Sequence, residues 1–121
     1  MMTEQEIRAQ AEAAKMASYP LAALQVDARN MALHAMADAL LGAAGMVLQE
    51  NAADLAAAKE AGMQPSYLDR LRLDMRRISD MAEGLRQTAE LPDPLGREDY
   101  SVRRPNGLEI RRLRVPLGVV G

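Results

Sequence analysis

The chain has 121 residues and a formal net charge of −2, and it contains no Cys, Phe or Trp. This length corresponds to about one ordinary domain. Without Cys, the 121 residues can form no disulfide, no thiolate metal site and no cysteine nucleophile. The small net charge gives no general reason to expect a nucleic acid or an anionic membrane as partner.

The N-terminal third reads as helix. Thr3 and Glu6 form the T-x-x-E pattern of a capping box, which predicts a helix from about Glu4 to about Ser18. Tyr19-Pro20 is expected to end it, because proline lacks the backbone donor that a helix interior needs. A second helix is predicted from about Asp27, with Leu33, Met36, Ala37 and Leu40 on one face.

Two glycines, Gly42 and Gly45, predict a break or kink before a third helix, which runs from about Gly45 to Ala61. Asn51 is expected to interrupt this helix locally, because its amide competes for backbone hydrogen bonds. Gly62 suits the position just after the helix end, where a positive φ is common.

A short helix should open at Gln64-Pro65-Ser66, and Asp74 is the expected N-cap of a longer helix from about Met75 to Glu90. That helix has a clean apolar stripe, expected to form core: Met75, Ile78, Met81, Ala82, Leu85 and Ala89. Glu83 and Arg86 form a potential i,i+3 pair on its other face. The prolines of Leu91–Gly96 then predict a fixed loop.

A β-hairpin follows, with arms at Tyr100–Arg104 and Leu108–Val115 around the turn Pro105-Asn106-Gly107. In the second arm the apolar positions change parity. A strand with one buried face cannot do this. Either a β-bulge lies near Arg111-Arg112, or the strand passes from one environment into another.

The last seven residues, Val115–Gly121, are an apolar run typical of a buried strand that feeds further strands and helices. The run predicts that the chain is the front piece of a larger enzyme whose chemistry lies mostly beyond residue 121. Gly118 and Gly121 are interpreted as points of bending or close backbone approach. The GxGxxG fingerprint and a P-loop Lys are both absent.

Few residues are candidates for chemistry. His34 is the only histidine, and it has no identifiable partner for metal binding or general-base work, so a structural or surface role is expected. Five arginines cluster on the hairpin: Arg103, Arg104, Arg111, Arg112 and Arg114. They would serve phosphate or nucleic-acid binding, or more simply a charged strand pair that resists edge aggregation or forms interface ion pairs. The second reading is preferred.

Four stretches carry a resemblance to a known family: Asn51–Met63 (NAADLAAAKEAGM), Ser66–Leu71 (SYLDRL), Leu91–Gly96 (LPDPLG) and Pro105–Gly121 (PNGLEIRRLRVPLGVVG). The most specific piece is Arg111–Gly121. In this order they resemble the N-terminal part of gamma-glutamyl phosphate reductase, also called glutamate-5-semialdehyde dehydrogenase, of the aldehyde dehydrogenase superfamily. The resemblance spans essentially all 121 residues.

The resemblance implies an α/β, aldehyde dehydrogenase-like fold. This segment of it would be mainly α-helical, with a C-terminal β-hairpin and the start of a buried strand. Residues 1–98 would pack on the cofactor domain, 99–114 would be the hairpin of the oligomerisation arm, and 115–121 would be the opening strand of the nucleotide-binding domain. The sequence predicts a homo-oligomer in the cytoplasm, with no nucleic acid and no membrane as partner.

The resemblance further implies NADPH-dependent reduction of gamma-glutamyl phosphate to glutamate-5-semialdehyde in proline biosynthesis, by way of a cysteine thioester. No catalytic, cofactor-binding or metal-binding residue can be carried over, because none of the 121 positions corresponds to one. We therefore expect the chain alone to be inactive and to associate with itself through the hairpin or the apolar run. A free-standing helical module that binds a protein partner through the arginine-rich hairpin is the alternative.

Overall fold

The computed structural model describes residues 3–121 and is mainly helical with one antiparallel hairpin, as predicted. Its elements are α1 (Glu4–Ala23), α2 (Val26–Gly42), α3 (Ala44–Glu60), α4 (Pro65–Leu71), α5 (Met75–Glu90), β1 (Glu98–Arg103) and β2 (Glu109–Leu113). They fall into two compact units. The helical unit is Asp27–Leu91, and the hairpin unit joins the residues up to Val26 with Pro92–Gly121.

Helix α1 begins at the predicted capping box. The Glu6 amide donates to Thr3 Oγ1 at 3.3 Å, and the Thr3 amide donates to Glu6 Oε2 at 2.7 Å. The predicted end was wrong, because the helix continues through Pro20 to Ala23. Met16 and Pro20 are exposed, so the Met16 carbonyl group that lacks its helical donor is open to water.

The predicted break between the second and third helices is confirmed at Ala43, where α2 and α3 meet at a 64° bend. Helix α3 ends in a Schellman motif. The Met63 amide donates to the Ala58 carbonyl at 3.0 Å, and the Gly62 amide to the Lys59 carbonyl at 3.1 Å. Gly62 adopts φ +76°, which explains the glycine at this position.

The core of the helical unit consists mostly of small side chains from α2, α3 and α5. Its buried apolar residues are Ala37, Ala44, Ile78, Ala82 and Ala89. Ile78 is the largest side chain that is fully buried. Met75 and Met81 were predicted to be core but are about half exposed, at 54% and 50%. The buried part of the α5 stripe is therefore narrower than the sequence pattern suggested.

Asn51 does not interrupt α3 but lies buried inside it. Its Nδ2 donates to the Leu71 carbonyl at 2.9 Å, and its Oδ1 accepts from the Leu73 amide at 2.7 Å. Both halves of the amide are thus used on the short link between α4 and α5. The expectation of a local break was wrong because the amide bonds across the tertiary structure and not to its own helix.

The outer side of the same link is held by Arg77. Its guanidinium donates to the carbonyl groups of Asp69 and Arg72, and it also reaches the Asp69 carboxylate at 3.3 Å. The Arg77 amide is itself bonded to Asp74 Oδ1 at 2.8 Å, which confirms Asp74 as the N-cap of α5. Residues 69–74 are therefore fixed from both sides.

The expected pair of Glu83 with Arg86 does not form. Arg86 instead bridges to Asp38 of α2 at 2.8 Å, while Glu83 accepts from Gln87. Among residues 3–121, no single helix is long and apolar enough to span a membrane; α2 and α3 reach that length and composition only as a pair, across their 64° bend.

Replacing Asn51 with Ala should lower the free energy of unfolding by about 2 kcal/mol, because the Leu71 carbonyl and the Leu73 amide lose their partner in a partly buried place. Urea denaturation followed by circular dichroism measures this. Gln49→Ala, at an exposed position of the same helix, is the matched control and should change stability by less than about 0.5 kcal/mol. Equal effects of the two substitutions would contradict the role given to Asn51.

The Thr3 amide and hydroxyl bonds hold the pKa of Glu6 below its ordinary value of 4.5. Since the folded pKa is the lower one, the stabilisation is fully present above pH 4.5 and is lost as the pH falls through the folded pKa. We expect α1 to fray at its first turn in this acidic window. The measurement is the Thr3–Glu6 amide shifts by NMR against pH, with Glu6→Gln as control. A titration of equal size in Glu6→Gln would exclude Glu6 as its source.

Candidate functional site

The hairpin has two chemically different faces. Residues paired across the ladder share a face, and the register pairs Tyr100 with Arg112 and Val102 with Ile110. Side chains alternate between the two faces along a strand, so Leu108 and Arg104, which flank the turn, lie on this same side. The four apolar residues on this side, Tyr100, Val102, Leu108 and Ile110, form the apolar hairpin face, and Arg104 and Arg112 lie on the same side beside them. Only Val102 is half-buried, and the other three remain exposed.

The opposite face is polar. There Ser101 pairs with Arg111 and Arg103 with Glu109. Arg111 forms an ion pair with Glu109 of its own strand at 3.0 Å. The separation is incomplete, because Arg104 and Arg112 lie on the side of the apolar hairpin face and Leu113 lies on the polar face.

The irregularity predicted in the second arm exists, but the extra residue lies on the first strand. Glu98 pairs with Leu113 and Tyr100 with Arg112, so Asp99 is the unpaired residue opposite this step. Its carboxylate accepts from Arg114 Nε at 2.9 Å. The extra residue shifts the alternation of the first strand, whereas the second strand goes on alternating and places Leu113 on the polar face.

The turn is built by Pro105, Asn106 and Gly107, as predicted. The Gly107 amide donates to the Arg104 carbonyl at 2.9 Å, and Asn106 Oδ1 accepts from the Leu108 amide at 3.1 Å. Gly107 has φ +87°, whereas Asn106 stays out of the left-handed region. Only the glycine is therefore required by its backbone conformation.

The five hairpin arginines do not act as one cluster. Arg111 and Arg114 are neutralised by Glu109 and Asp99, while no ion pair within residues 3–121 involves the guanidinium groups of Arg103, Arg104 or Arg112. The register separates them, with Arg103 on the polar face and Arg112 on the apolar hairpin face. Converging cations, as a phosphate site would need, are not formed by this arrangement.

Arg114 extends the hairpin by backbone bonds with Gly96 and Arg97, but residues 115–121 form no strand with any described part of the chain. Their apolar side chains are exposed, with Leu117 at 89% and Val115 at 73%. Gly118 has φ +92°, a backbone conformation that favours glycine, and an added Cβ there would meet nothing within 4 Å, so the predicted close backbone approach is not seen. Leu117, Gly118 and Val119 line a shallow groove together with α1.

Two other features bear on possible chemistry. His34 is exposed on α2, and no hydrogen bond joins its ring to any residue that the structure describes. Within residues 3–121, no group of three or more His, Asp or Glu side chains is arranged to hold a metal ion. A shallow groove on α3 is lined by Met46, Val47, Glu50, Asn51, Asp54 and Leu73, with the Asn51 amide already committed to the α4–α5 link.

The chain was compared with known proteins. No protein-family model matches it. It is 45% identical over 116 residues to the gamma-glutamyl phosphate reductase of Anoxybacillus flavithermus and 46% identical over 121 residues to that of Heliobacterium modesticaldum. These alignments cover 96% and 100% of the chain but only 28% and 29% of the relatives. The chain thus spans less than a third of their length.

Solved structures agree. The gamma-glutamyl phosphate reductase of Thermotoga maritima superposes with a TM-score of 0.81 at 32% identity, over 92% of this chain and 27% of that one. The Saccharomyces cerevisiae enzyme gives 0.80 at 30% identity, over 96% and 29%. The helices and the hairpin are therefore a segment of an aldehyde dehydrogenase-like fold. Over the residues it contains, the chain belongs to the gamma-glutamyl phosphate reductase family.

Proposed function

We propose that the chain is the N-terminal segment of an NADPH-dependent reductase that converts gamma-glutamyl phosphate to glutamate-5-semialdehyde in proline biosynthesis. The observation that carries the proposal is the 42–50% identity to reductases of that name over nearly the whole chain. The proposal includes a homo-oligomeric enzyme located in the cytoplasm. The three segments 1–98, 99–114 and 115–121 keep the roles that the resemblance assigns to them.

In this proposal the segment supports the enzyme and does not carry its chemistry. A cysteine thiolate would attack the acyl phosphate, release phosphate and form a thioester. NADPH, when bound, supplies the hydride that reduces the thioester and frees the thiolate. The chain has no Cys, no GxGxxG and no P-loop Lys, so its own residues would hold neither the nucleophile nor the cofactor. Their part is to form α1–α5 and to present the hairpin.

We expect the purified 121-residue chain to show no NADPH oxidation with gamma-glutamyl phosphate. When the chain replaces the 121 aligned residues of the Heliobacterium modesticaldum enzyme, the chimera should oxidise NADPH with gamma-glutamyl phosphate. The reason is that the matched helices and hairpin would occupy the same positions. NADPH absorbance at 340 nm is the readout, and circular dichroism and sedimentation show whether the chimera folds. Activity of the isolated chain, or a folded but inactive chimera, would contradict the proposal.

The hairpin is proposed to pair with a second copy through the apolar hairpin face. A two-stranded ribbon is marginal in water by itself, and Tyr100, Leu108 and Ile110 are all exposed apolar groups on one side of it. The arginine-rich module that binds a different protein would use the same hairpin. Self-pairing requires only copies of this chain, whereas the binding module requires a different protein.

Ile110→Glu should therefore shift the chain toward monomer by placing a charge on the apolar hairpin face. Ser101→Glu, on the polar face of the paired strand, is the matched control and should leave association unchanged. Sedimentation velocity over a range of concentrations measures both variants against the unaltered chain. A chain that remains strictly monomeric at the highest concentration would rule out self-pairing and leave the binding module as the better reading of the hairpin.

A further inference from the structure

Burial is distributed very unevenly between the two units. All described residues that are buried lie in the helical unit: Ala37, Ala44, Asn51, Ile78, Ala82 and Ala89. In the hairpin unit no described residue is buried, and Ser18, Val26, Leu95 and Val102 are half-buried. Since burial of apolar surface is the main favourable term in folding, the two units receive very different shares of it.

Besides its own backbone bonds, helix α1 has only shallow packing, in the groove that it lines with Leu117, Gly118 and Val119. It has 20 residues and no buried one, whereas most of the stability of helices in proteins comes from packing of a buried face. The capping box at Thr3 stabilises only the first turn, and Pro20 removes a backbone bond near the other end. Its apolar positions Ile7 and Leu21 are 56% and 50% exposed.

The hairpin likewise has little packing to stabilise it. Its ladder, the turn at Gly107 and the Arg114–Asp99 pair are all local, and these side chains remain largely in water. Exposed ion pairs contribute little to stability. By contrast, the helical unit contains the buried Ile78, the Arg77 bonds to the link, and the two Asn51 bonds, which join residues 20 and 22 positions apart in sequence.

We infer that the chain has two levels of stability built into its fold. The helical unit is the stable core, whereas α1 and the hairpin open by local unfolding many times more often. The difference between the units is a property of this chain and does not depend on the reductase assignment.

Native-state hydrogen exchange of the 121-residue chain tests this, at a concentration where sedimentation shows a monomer. Amides of α1, β1 and β2 should exchange at least about 100-fold faster than those of α3 and α5. Equal protection of all the elements would overturn the inference. At higher concentration β1 and β2 should gain protection while α5 does not; this last expectation rests on the proposed self-pairing, whereas the dilute comparison does not.

Two mild substitutions test whether the two units open independently or unfold together as one cooperative unit. Pro20→Ala restores a backbone donor in α1 and should slow exchange in α1 alone, leaving α5 unchanged. Ile78→Val removes one methylene from the core and should speed exchange in α5 about fivefold, with no change in α1. If either substitution shifted both helices by the same factor, the chain would unfold as one unit and the inference would fail.

Discussion

The side-chain amide of Asn51 is the interaction on which the best-packed part of the chain depends. It joins the middle of α3 to the link between α4 and α5 through two bonds of 2.9 and 2.7 Å. This link has no regular structure of its own, so its backbone groups need partners from elsewhere. Arg77 supplies the other partners from α5. With the link held at both sides, α5 begins at a fixed place, and Ile78 falls one turn later into the core.

The fully buried apolar positions are almost all alanine, and this affects how the segment is stabilised. Ala37, Ala44, Ala82 and Ala89 each bury little area, and the half-buried leucines around them, such as Leu48, Leu55 and Leu85, keep part of their apolar surface in water. Directed bonds such as those of Asn51 and Arg77 therefore carry more of the specificity than they would in a larger core. A segment stabilised in this way is suited to support a larger enzyme more than to form a catalytic cleft of its own.

The sequence predicted best those features whose physics is local. The capping box at Thr3, the N-cap at Asp74 and the glycine at Gly62 each involve neighbours within a few residues, so a short pattern identifies them. Asn51 was misread because its partners lie 20 and 22 residues away. Arg86 was misread likewise, since Asp38 lies on a different helix, 48 residues earlier. Asn51 lies at helical spacing from the apolar residues Val47, Leu48 and Leu55. This was the only signal in the sequence that its amide faces inward.

In the hairpin, too, local patterns were predictable from the sequence, whereas interactions with distant residues were not. Alternation in the hairpin identified a change of parity, but only the register shows that Asp99 is the extra residue and that it binds Arg114. The cluster of five arginines in sequence becomes, in the structure, two neutralised groups and three that lie on different faces or at the turn. The same register gathers Tyr100, Val102, Leu108 and Ile110 on one side, which no single strand reveals. The register therefore concentrates four apolar side chains on one side of the ribbon, but it does not separate charge from them, because Arg104 and Arg112 lie on that side as well.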